Sequence, residues 1–159
     1  MKRLTQYGVV VAVAAVAALS ASGVARAHSR SGDCSLKTLR GTYVFAATGN
    51  NIMSGVPQPK AIVEVIEFNG DGTLSVPAAT RSVNGAVARS LPGGTGSYTV
   101  EAGCTGTITF DPVPNAPTFD AFFSPKADTL WMIQTTPNTV FQGTATRLSH
   151  DGSGEDDQR

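Results

Sequence analysis

From Arg40 onward the chain breaks into short runs of β-favouring residues, each ended by Gly, Pro, Asn or Asp before a helical period can establish itself. Strands are expected at residues 41–47, 60–68, 73–81, 97–101, 105–110, 118–124, 129–135 and 139–147. Eight strands on short connections, with no helical pattern between them, predict an all-β antiparallel meander. Asn69-Gly70-Asp71-Gly72 carries the dipeptides of a two-residue hairpin, while Pro125-Lys126-Ala127-Asp128 and Pro137-Asn138 are compact reversals. A single helical turn is expected over 35–39, capped by Asp33 or Ser35, and the stretch 48–59 is expected to be a long loop.

Alternation is clean in the centre. Thr105, Thr107 and Thr109 oppose Gly106, Ile108 and Phe110, which describes a strand with one wet face and one buried face. The runs 42–46, 61–66 and 130–133 are apolar on both faces and call for a second cover: the N-terminal segment, the loop at 48–59, or another subunit. Small residues on the expected inward faces (Ala78, Gly106, Ala121, Gly143, Ala145) suit the taper of a small closed barrel. The expected architecture is therefore a single up-and-down β-barrel of about eight strands, with a β-sandwich as the alternative.

Lys2 and Arg3, the apolar run 7–19 and Ala25-Arg26-Ala27 form a secretory signal pattern with cleavage after Ala27. The apolar run is too short to span a bilayer. Removing 1–27 leaves nine basic residues against twelve acidic ones, so the exported chain is mildly acidic. The expected divisions are a signal peptide at 1–27, a tethered N-terminal segment at 28–38, the barrel at 39–148 and a disordered acidic tail at 149–159. Destination is the periplasm or the extracellular space. Two cysteines in an exported chain imply a Cys34–Cys104 disulfide. Charged residues are only 15% of the chain and balance to zero, which excludes a nucleic-acid binder.

The segments Leu39-Arg40-Gly41-Thr42-Tyr43-Val44-Phe45, Val65-Ile66-Glu67-Phe68-Asn69-Gly70-Asp71-Gly72, Gly96-Ser97-Tyr98-Thr99-Val100, Cys104-Thr105-Gly106-Thr107-Ile108 and Val140-Phe141-Gln142-Gly143-Thr144 together resemble a group of secreted bacterial proteins related to the allene oxide cyclase barrel. The resemblance implies a lipocalin-like, eight-stranded barrel. In the plant cyclases a catalytic carboxylate lies on the first strand; here residues 42–47 contain no acid, so no catalytic residue transfers.

Chemistry is sparse. The only histidines of the exported chain, His28 and His150, stand at its two ends, which argues against imidazole-based hydrolysis and against a zinc site. No cofactor or metal is expected. Asn69-Gly70-Asp71 lacks the later acid of a calcium loop, and Gly93-Gly94-Thr95-Gly96 lacks the lysine and helix of a phosphate loop. The candidate ligand-binding residues are Glu64, Gln134, Gln142, Trp131 and Tyr43, and Glu64 is the candidate acid or base should the chain be an enzyme. Three functions follow as expectations: a non-enzymatic module binding a small apolar ligand, a homo-oligomeric interaction protein, and a cyclase or isomerase acting on an oxidised lipid.

Overall fold

A computed structural model describes residues 33–90, 93–111 and 116–149. The signal pattern, both histidines and the acidic tail beyond Ser149 lie outside the described residues.

The expected short helix is a 3-10 turn over Leu36–Leu39, with Ser35 at its N-cap. Thr38 Oγ1 accepts the Ser35 N–H at 2.9 Å, which satisfies a donor that the turn leaves free. The strands are β1 (Gly41–Met53), β2 (Val56–Phe68), β3 (Thr73–Val83), β4 (Ala86–Ser90), β5 (Gly94–Tyr98), β6 (Thr105–Asp111), β7 (Thr118–Phe123), β8 (Thr129–Gln134) and β9 (Thr139–Ser149). All pairings are antiparallel, and β1 pairs with both β2 and β9. The β2–β3 pairing closes the sheet. Eight strands form an up-and-down barrel, and β4 is an additional strand on the upper half of β3.

The expected loop at 48–59 is instead the upper half of a hairpin, paired from Gly41↔Phe68 to Met53↔Val56. Ser54 (φ 49°) and Gly55 (φ 77°) both adopt the left-handed conformation, which makes the two-residue turn that matches the twist of paired strands. Pro57 and Pro59 obscured it, because proline weakens a strand pattern. They lie beyond the last β2–β3 pair, Lys60↔Val83, where β2 is an edge and proline is tolerated. Asn84 (φ 49°) and Gly85 (φ 85°) make the same kind of turn between β3 and β4, a strand the sequence pattern did not mark.

One irregularity sets the direction of the upper barrel. From Val65↔Ala78 to Glu67↔Ser75, β2 advances two residues and β3 three, so β3 carries a bulge next to Pro77. Below it Leu74 and Val76 point inward; above it the parity flips. Ala79 and Arg81 are the partners of the inward residues Glu64 and Ile62, and Ala78 turns outward, contrary to simple alternation.

The lower half of the barrel is solid. Tyr43, Phe68 and Tyr98 meet edge to face with ring centroids 5.0–5.2 Å apart, packed with Leu39, Ile66 and Leu130. Arg147 closes this end. Its guanidinium donates to the carbonyls of Thr38 (2.6 Å), Arg40 (2.7 Å) and Ala127 (3.2 Å) and lies 4.9 Å from the Tyr43 ring centre. The Tyr43 hydroxyl donates to Ala127 O at 2.8 Å. Cys34 and Cys104 form the expected disulfide, fixing the N-terminal segment to the turn before β6. That segment plugs the base rather than covering the doubly apolar strands, so Val63, Trp131 and Ile133 stay exposed on the outer face.

With the two cysteines 70 positions apart in the chain, loss of the bond should cost about 4 kcal/mol by chain entropy. Urea unfolding of the Cys34→Ser, Cys104→Ser double variant should show a loss of that order; an unchanged midpoint would refute the assignment of stability to the cross-link.

Candidate functional site

Above the packed base the interior opens into a cavity of about 190 Å³. Its apolar wall is a second aromatic group: Phe119 sits 5.7 Å from Phe45, 5.8 Å from Phe110 and 6.4 Å from Phe141 between ring centres. Ile62, Val76 and Ala79 complete that wall. The charged lining is Lys60 and Glu64 from β2, Arg81 from β3 and Asp111 from the end of β6.

Each of these side chains is placed by a register. Lys60, Ile62 and Glu64 are alternate residues of β2 and share its inward face. Arg81 is inward because of the β3 bulge. Phe45 pairs with Glu64, which sets a ring against the carboxyl.

Glu64 is 8% exposed, and among the described residues no group hydrogen-bonds its carboxyl. Burial pushes its pKa up to about 7, against a smaller opposing effect of the Lys60 charge. Lys60 is pushed the other way, below the ordinary lysine range, first by burial and then by the Arg81 charge. Its ammonium donates to Gln134 Oε1 at 3.2 Å and sits 4.0 Å from the centre of the Phe141 ring. A carboxyl that changes charge near neutral pH, an amine held by neutral groups and an aromatic wall thus meet in one space.

Of the five residues singled out in the sequence, Glu64 lines the cavity, and Gln134 is buried beside it as the acceptor for Lys60. Tyr43 points inward but lies in the packed base, bonded to Ala127. Trp131 (53% exposed) and Gln142 are on the outer surface. Their neighbours Leu130, Met132, Phe141 and Gly143 are the inward ones, and a strand apolar on both faces does not reveal its parity. Lys60 and Arg81 were missed as lining residues, and Pro77 inside a strand was the mark of the bulge that turns Arg81 in. Among the described residues no group of His, Cys, Asp and Glu could hold a metal ion. No helix of the described residues is long and apolar enough to cross a membrane.

Comparison with the sequence patterns of known protein families gives no match, and none is found among curated proteins. Among solved structures the chain is similar to the S-type phycobiliprotein lyase CPES from Guillardia theta. The likeness has 12% identity, covers 77% of this chain and 96% of that one, and has a TM-score of 0.38. None of these comparisons returns an allene oxide cyclase.

The Glu64 carboxyl keeps its proton to a higher pH in the folded barrel than in the unfolded chain. Stability therefore falls as pH rises from about 4 to about 7 and is flat above, a loss on the order of 3 kcal/mol. Glu64→Gln should remove it: denaturant unfolding should find the variant stabilised by about 2–3 kcal/mol at pH 8 and close to the parent at pH 4. An equal effect at both pH values would contradict the buried, unpaired carboxyl.

Proposed function

We propose that the protein is an exported, non-enzymatic binding module that carries one compact, largely apolar ligand in the upper half of its barrel. The observation that carries this reading is an aromatic cavity with charged groups on one side, set above a base that is already filled. A dry cavity of about 150 Å³ lined by Leu, Ile and Phe accommodates benzene. Some 190 Å³ therefore suits one ring, or a short chain, with a small polar group. This size favours a compact ligand over the long acyl chain that the cyclase alternative requires. The signal pattern at 1–27 and the disulfide support export.

Native mass spectrometry of protein purified from the periplasm should show a bound small molecule, or uptake of a single-ring probe. Ala79→Phe, which places a ring in the cavity, should abolish uptake with a stability change under about 3 kcal/mol. Binding undiminished in that variant would place the ligand elsewhere.

A second reading has its own observation. Trp131 and Ile133 on β8, Phe122 on the adjacent β7 and Val63 on β2 are all about half exposed around one outer groove, a face suited to self-association. If it is an interface, light scattering at micromolar concentration should give a mass above the monomer, and Trp131→Lys should return it to the monomer. A strict monomer removes this alternative.

A further inference from the structure

The charged lining of the cavity allows the ligand's polar end to be identified. Lys60 on β2 and Arg81 on β3 lie near each other diagonally across the pairs Lys60↔Val83 and Ile62↔Arg81. The Arg81 charge is felt at the Lys60 amine. Neither cation makes a contact ion pair with Glu64 or Asp111 among the described residues. The ammonium of Lys60 rests on a neutral amide and an aromatic ring, and no described group accepts a hydrogen bond from the Arg81 guanidinium.

Two like charges held beside an apolar wall repel one another, and that repulsion is relieved when an anion with two oxygens comes between them. The acids do not cancel this field. Arg81 and Asp111 are both exposed at the mouth and offset one another, and Glu64 sits deeper beside Lys60, where burial favours its neutral form below about pH 7. With Glu64 protonated, the lining holds two cations, Lys60 within and Arg81 at the mouth, against the single carboxylate of Asp111, a net positive charge. The field therefore selects an anion over an amine.

We propose that the cavity binds a compact monocarboxylate, with its ring or short chain against Phe45, Phe119 and Phe141 and its carboxylate between Lys60 and Arg81. This rests on the binding reading given above and adds the chemical class of the ligand. A consequence follows for Glu64. The bound carboxylate makes ionisation of its neighbour harder still, so ligand and proton are taken up together. The charged groups that line the cavity with Glu64 are Lys60 on its own strand, Arg81 on β3 and Asp111 on β6; the β1, β7 and β9 walls present Phe45, Phe119 and Phe141, which do not titrate. Affinity is therefore at its plateau below the free pKa of Glu64, about 7, and falls as pH rises through it. Deprotonation of Lys60 at higher pH acts in the same direction.

The test is calorimetric titration of the disulfide-bonded protein with phenylacetate, with the neutral phenylacetamide and with the cationic phenethylamine. At pH 6 the acid is expected to bind at least about tenfold more tightly than the amide, and the amine most weakly. Between pH 6 and pH 8 the acid should lose about tenfold in affinity while the amide changes little. Titrations at pH 7 in buffers of different ionisation enthalpy should show net proton uptake with the acid. Lys60→Met and Arg81→Met should each cut the preference for acid over amide. Glu64→Gln should flatten the pH profile between 6 and 8. Equal binding of acid and amide, or preference for the amine, overturns the carboxylate assignment and leaves the binding module standing. A cavity that binds none of the three probes overturns both.

Discussion

A single guanidinium turns this β-cylinder into a cup. Arg147 stands near the end of β9 and reaches carbonyls of the N-terminal segment and of the turn before β8, while lying over the Tyr43 ring of β1. Hydrogen bonds from a charged donor are each worth about 1.5–3 kcal/mol, and here they satisfy carbonyls that the helical turn and the β7–β8 turn cannot satisfy internally. The last strand, the first strand and the plug are thereby tied at one point. The disulfide holds the other side of the same plug against the β5–β6 turn, where Cys34 N–H also meets Ala102 O at 3.4 Å. A barrel open at both ends would hold water along its whole length. Closed at the base, it can keep an apolar space with one wet side.

The two halves of the interior are built from the same residue types in different arrangements. In the base, three rings stand at 5.0–5.2 Å in successive edge contacts, and the Tyr98 hydroxyl accepts the Gly70 N–H while donating to Leu36 O. In the upper half the rings are 5.7–6.4 Å apart and surround space. The upper half also holds the one buried carboxyl among the described residues, a group that disfavours folding whenever it is charged. Packing is therefore concentrated at the base, where it secures the fold, and relaxed above, where groups that oppose stability are carried.

Much of this was legible in the sequence, for identifiable reasons. Period-two alternation, the turn dipeptides and the absence of helical pattern report directly on backbone geometry, so the all-β class, the meander and the eight barrel strands follow from them. Residues whose meaning depends on a neighbour were not legible. Pro57 and Pro59 weaken a strand unless it is known that β3 ends before reaching them. Pro77 reads as a defect until β2 shows that a residue is looped out there, and only then does Arg81 face inward. Tyr43 is inward, as alternation suggests, but its height along the barrel is fixed by Arg147 and Ala127, far away in sequence. Trp131 illustrates the opposite problem: in Leu130-Trp131-Met132-Ile133 both faces are apolar, and the largest side chain is on the outside.

That outward tryptophan belongs to a feature with an inward cause. Across adjacent strands, Ala47 pairs with Gly143, Gly143 with Met132, Met132 with Ala121 and Ala121 with Gly106. This row of inward positions has one long side chain and four small ones. A barrel wall lined by small residues can press inward, because interiors close up to crystal-like density where side chains leave room. At Gly143 the approach is so close that a Cβ would run into Ala46 O and the Ala47 side chain. On the outside the same stretch forms a groove floored by Ala46, Gly143 and Thr144 and flanked by Val63, Phe122 and Trp131. The close approach of β1 to β9 and the external groove therefore meet at Gly143. A larger residue at 143 would push β1 away from β9, altering both surfaces of the wall at once.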